Sequence, residues 1–99
     1  MPKLSVTEAD VSAVEHWLRQ HENLNHIRVR KRGEMLILES GPAHDSVPHA
    51  RLRRRELGIW ALEMPYRSRW EVTPFHDRAK EAVLDLLLEN FGWTLMPLG

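Results

Sequence analysis

Residues 49–64, HARLRRRELGIWALEM, restrict the fold more than any other stretch of the chain. In the first half, Ala50, Leu52 and Arg54 alternate with His49, Arg51, Arg53 and Arg55. That period of two sends successive side chains to opposite faces of a strand. In the second half, Ile59, Trp60, Leu62 and Met64 form an apolar, strand-prone run, and Leu57-Gly58 offers the turn between them. A hairpin follows, with one strand carrying an arginine ladder and the other feeding a core.

The flanking sequence extends this sheet. HIRVRKRGEMLILES at residues 26–40 alternates Ile27 and Val29 with Arg28, Arg30 and Arg32, turns at Gly33, and continues through the apolar run of residues 35–38. Within that run Met35 and Ile37 share one face and Leu36 and Leu38 the other, so both faces are expected to be partly covered. GPAHDSVP at residues 41–48 reads as a loop, and RWEVTPF supplies a further strand through Trp70 and Val72. Before the sheet, Thr7 and Asp10 form a capping-box pattern ahead of Val11, Val14, Trp17 and Leu18, predicting an amphipathic helix over residues 7–21. After it, Thr73-Pro74, or alternatively Asp77, is expected to start a second helix. Ala79, Ala82, Val83, Leu86 and Asn90 line one stripe, broadened by Leu84, Leu87, Leu88 and Phe91, and Gly92 stops it. Trp93 to Met96 either adds a short edge strand or folds back. The expected architecture is one α+β domain over residues 1–99: helix, antiparallel meander of four or five strands, helix, with both helices on one face of the sheet.

Charge is distributed along the same lines. The formal net charge is zero, but residues 25–70 hold ten basic and five acidic side chains, between acidic ends. The chain has no cysteine, which excludes disulfides, thiolate chemistry and cysteine metal sites. Neither a signal-peptide core nor a membrane-spanning run appears, so a cytoplasmic location and no membrane contact are expected.

Three groups of residues are candidates for function. Arg28, Arg30 and Arg32 share one side of their strand, and Arg51, Arg53 and Arg55, with His49, share one side of theirs. Gathered on one face they suit nucleic-acid phosphates. Glu34, Glu39, Glu56 and Glu63 can pair across strands with the same arginines, which would leave a merely solvated face or one fitted to an acidic protein. Of the four tryptophans, Trp17 is expected in the core, and Trp60 and Trp70 in the core or among the arginines. Trp93, with Leu95, Met96 and Leu98, forms an apolar end suited to a protein partner or homodimer. The six histidines lack metal-ligand spacing, and only convergence of His44, Asp45, His49 and His76 would build a site. No metal, cofactor or catalytic residue is expected. Ser40, Ser46 and Ser68 sit in no nucleophile elbow, and neither phosphate-loop nor dinucleotide patterns occur.

The element order resembles that of the double-stranded-RNA-binding domain, and SGPAHDS at residues 40–46 resembles the loop after that family's first strand. The resemblance implies minor-groove contact from the first helix and this loop, and phosphate contact from the start of the second helix. There this chain has His76, Asp77, Arg78 and Lys80 rather than a run of lysines. With a strand near Trp93 the order is also similar to the restriction-endonuclease-like core, whose chemistry needs an acid-x-lysine pair; Glu34, Glu39, Glu63 and Glu71 have no such lysine beside them. The functional expectation rests on the residues themselves: a small noncatalytic domain whose basic sheet face contacts nucleic-acid phosphates, or alternatively an interaction module, homodimeric through its C-terminal apolar segment.

Overall fold

The computed structural model describes residues 5–96, and the expectation for Leu98 lies outside them. Helix α1 (Glu8–Arg19) leads into strands β1 (Arg28–Arg32), β2 (Met35–Ser40), β3 (Val47–Arg54), β4 (Trp60–Tyr66) and β5 (Arg69–Asp77), and helix α2 (Lys80–Phe91) follows. The five strands form one antiparallel sheet in sequence order. Both helices pack on the same side of it.

Local chemistry sets these boundaries. Thr7 and Asp10 cap α1 reciprocally: the Asp10 amide donates to the Thr7 hydroxyl at 3.2 Å, and the Thr7 amide donates to the Asp10 carboxylate at 2.8 Å. Gly33, at φ +58°, makes the two-residue turn between β1 and β2. Arg67 and Ser68 both take positive φ in the two-residue turn between β4 and β5, a conformation that glycine or asparagine adopts at less cost.

The core forms where the strand period meets the helical one. In register across the sheet, Leu36, Leu52 and Leu62 stand side by side facing the helices, as do Val29, Leu38 and Ala50. Val14, Trp17 and Leu18 of α1 and Val83, Leu84 and Leu87 of α2 close over them. Two polar contacts tie the helices together: the Trp17 indole N–H donates to Asp85 at 3.0 Å, and Lys80 Nζ lies 3.1 Å from Asp10. Trp60 is also core, beneath the Lys80 ammonium at 5.3 Å.

Several expectations need correction. Thr73-Pro74 does not start a helix, because β5 continues through both to Asp77 along the sheet edge, where a proline N–H is not missed. Asp77 does help at the helix start, accepting from the Ala79 amide at 2.9 Å. The loop resembling one that follows a first strand lies after the second, between β2 and β3. Of the two alternatives for the segment after α2, folding back holds and the edge strand does not: Gly92–Leu95 forms a 3-10 turn that packs back toward the sheet. The sequence-derived stripe on α2 is rotated as well, its buried residues being Val83, Leu84 and Leu87, whereas Asn90 is exposed.

Candidate functional site

The face of the sheet away from the helices holds the arginines. Pairing places Arg30 beside Ile37 and Ile37 beside Arg51, with Glu63 next in the same row. The neighbouring row runs Arg32, Met35, Arg53, Ala61. Arg28 stands opposite Glu39. Arg55 lies just past the end of β3 and is exposed. Strand period thus carries Arg28, Arg30, Arg32, Arg51 and Arg53 to one surface, with Arg55 at its rim. Ile37 is on this face, yet only 5% exposed, flanked by long arginine stems.

Three glutamates organise the guanidiniums. Glu63, 3% exposed, receives Arg51 Nε at 2.5 Å on one carboxylate oxygen and Arg53 Nε at 2.9 Å on the other. Arg53 reaches onward through Nη1 to Glu34 at 2.5 Å. Glu39, also 3% exposed, receives Arg30 Nε at 2.5 Å, with Arg28 Nη2 at 3.9 Å; Arg28 also donates to the Gly41 carbonyl. Burial pushes both buried carboxyls up. For Glu63 the hydrogen bonds and charges of Arg53 and Arg51 outweigh that penalty, and for Glu39 those of Ser46, Arg30 and Arg28 do, so both lie below the ordinary glutamate range. Two buried anions therefore hold four arginines in fixed orientation.

The remaining arginines differ. Arg32, Arg54 and Arg55 have no carboxylate within ion-pairing distance among the described residues. They share one end of the sheet, Arg32 at the end of β1 on the arginine face, Arg54 at the end of β3 on the helix-facing side, and Arg55 just beyond it. Glu34, Arg53, Arg54, Arg55 and Glu56 line an open cleft of about 660 Å³ there, and Arg32 to Met35 line an adjoining one of about 320 Å³. Arg54 keeps the apolar parity expected from the alternation: it pairs with Trp60 on the helix-facing side, its guanidinium 5.9 Å from that ring. Trp70 is half-buried on the arginine face with the Arg51 guanidinium 4.5 Å from its ring centroid.

His49 leaves the arginine face. The register shifts between Leu38 and Glu39, so β3 carries an extra residue and the parity breaks at His49. The buried ring is hydrogen-bonded to the Ser40 hydroxyl at 2.7 Å through Nε2 and donates through Nδ1 to the Thr94 carbonyl at 2.7 Å. His26 donates through Nε2 to the Leu95 carbonyl at 2.8 Å. These two rings fasten the 3-10 turn after α2 to β3 and to the turn that precedes β1. His44, Asp45, His49 and His76 are not brought together, and among the described residues no group of three or more histidines and acids is placed to hold a metal ion.

The C-terminal candidates divide. Leu95 is fully buried in the core, whereas Trp93 is 76% exposed and Met96 is exposed. Trp93 lines an apolar cleft of about 310 Å³ with Tyr66, Val72, Pro74 and Phe91. No helix among the described residues is long and apolar enough to cross a membrane. Comparison of the chain with protein-family models, curated proteins and solved structures gives no significant match in any of the three.

Proposed function

We propose that this domain is a noncatalytic binding module whose arginine-bearing sheet face contacts nucleic-acid phosphates. The observation that carries the reading is the surplus on that face: Arg28, Arg30, Arg32, Arg51, Arg53 and Arg55 against Glu34, Glu39 and Glu63, which pair with four of the six. Arg30, its side chain half exposed, engages Glu39 through Nε alone, so its Nη groups remain available as donors while the side chain is already ordered. Such ordering lowers the entropy lost on contact. The half-buried Trp70 beside Arg51 adds an aromatic ring at the same surface.

The reading is tested by fluorescence anisotropy with labelled single- and double-stranded oligonucleotides at about 50 and about 200 mM salt, where a protein making several phosphate contacts loses orders of magnitude in affinity. Binding that weakens steeply over this range is the expected result. No binding at the lower salt, or salt-independent binding, overturns it.

A second reading has its own observation. Trp93 is the most exposed aromatic among the described residues and borders an apolar cleft that runs along β5, the sheet's edge strand. A second copy pairing edge to edge would extend the sheet and cover Trp93. Sedimentation of the wild type against Trp93→Ala separates the two: dimer lost in the variant supports this reading, and a monomeric wild type at high concentration excludes it.

A further inference from the structure

The turn between β3 and β4 holds a residue that packing does not explain. Leu57 is 82% exposed and takes φ 62°, ψ 23° inside the tight Glu56–Gly58 turn, which Arg55 and Ile59 close with a backbone hydrogen bond of 2.6 Å. A left-handed backbone costs a γ-branched residue on the order of 1 kcal/mol that glycine or asparagine would avoid. Exposure of the side chain returns none of it through burial. A strained apolar side chain projecting into solvent is a reason to look for a partner at that point.

Its surroundings indicate which partner. Leu57 stands at the same end of the sheet as Arg32, Arg54 and Arg55, three of the guanidiniums with no carboxylate within ion-pairing distance among the described residues, and next to the cleft lined by Glu34, Arg53, Arg54, Arg55 and Glu56. The central arginines are committed to Glu39 and Glu63, so on this part of the sheet the guanidiniums without a carboxylate stand at the turn end rather than in the middle. Cations flanking a projecting aliphatic side chain match a nucleic acid, which offers phosphates on its backbone and apolar base or sugar surface between them.

We propose that the domain grips nucleic acid by this end of the sheet: Arg32, Arg54 and Arg55 contact phosphates while Leu57 packs on an unstacked base or a sugar. This rests on the nucleic-acid reading above and narrows it from the whole face to the turn. The acids Glu34 and Glu56 line the same cleft, and they keep its charge from being uniformly positive.

Two variants test the assignment, with oligonucleotide anisotropy as the common readout and thermal unfolding as the second. In Arg32→Gln/Arg54→Gln/Arg55→Gln the stems remain but the charges are gone, and the slope of log affinity against log salt should become shallower by roughly 2–3. Leu57→Asn suits the left-handed backbone, so the melting temperature should hold or rise while affinity falls about fivefold as apolar contact is withdrawn. Arg28→Gln/Arg30→Gln serves as comparison and should change the slope less. If the comparison variant abolishes binding while the triple variant and Leu57→Asn bind like the wild type, this assignment is wrong and the broader reading stands. If the wild type does not bind at low salt, the broader reading itself fails.

Discussion

Glu63 decides how the arginine face behaves, because one carboxylate with 3% exposure serves two guanidiniums. Removing its charge leaves Arg51 without its carboxylate and Arg53 with Glu34 alone, and Glu63→Gln should lower stability at neutral pH by about 2–4 kcal/mol, measured by chemical denaturation. The pH dependence has a definite sign. Glu63 and Glu39 are held below the ordinary value of 4.5 in the folded chain, so the folded state takes up their protons less readily than the unfolded chain does. Their stabilisation is complete above the unfolded value and drains away as pH falls from there through the lower folded values. Denaturation midpoints of the wild type should therefore drop below about pH 4.5, and the gap between wild type and Glu63→Gln should narrow with acid. A gap that stays constant between neutral pH and pH 3 would show that the carboxylate's charge is not what matters. At this scale the sequence revealed which arginines share a face, since parity along β1 and β3 is visible in the residue order. It did not reveal that Glu63 sits between two of them, because that depends on the register of β4 against β3.

The strands and helices were legible wherever one period ran unbroken, and misread where it changed. The alternation in residues 26–40 and 50–54 gave the right strands, and the Thr7–Asp10 cap gave the right start for α1. The bulge opposite Leu38 and Glu39 was invisible, since one extra residue leaves no compositional trace, and it moved His49 from the arginines to the buried side. Proline misled at residue 74, being equally at home in a helical first turn and on a sheet edge. The histidines supply an element-scale prediction. His49 bridges the Ser40 hydroxyl and the Thr94 carbonyl, so His49→Ala leaves both without a buried partner, at a cost of roughly 1–3 kcal/mol. The 3-10 turn Gly92–Leu95 should loosen before the rest of the fold, seen as faster amide exchange there than in α2. Uniform acceleration across the chain would argue that His49 supports the core as a whole rather than fastening this turn.

For the whole molecule, the meander order explains why the architecture could be read from one sequence. Each strand pairs with its neighbour in the chain, so local order alone determines the sheet, and two amphipathic helices have one apolar sheet face to cover. Charge is more informative in three dimensions than in the total of zero: acids are drawn under the middle of the arginine face, and Arg32, Arg54 and Arg55, without a carboxylate partner among the described residues, stand at the end beside Leu57. The domain consequently presents two different surfaces, a basic end and an apolar cleft around Trp93, and they lie on different elements. The most direct discrimination is a titration of the isotopically labelled domain with a short duplex at low salt, following backbone amide shifts. Progressive shifts concentrated at residues 32–34 and 53–58, weakening as salt is raised, are the expected result. Spectra unchanged by the duplex, or shifts confined to residues 64–74 and 91–96, would contradict it.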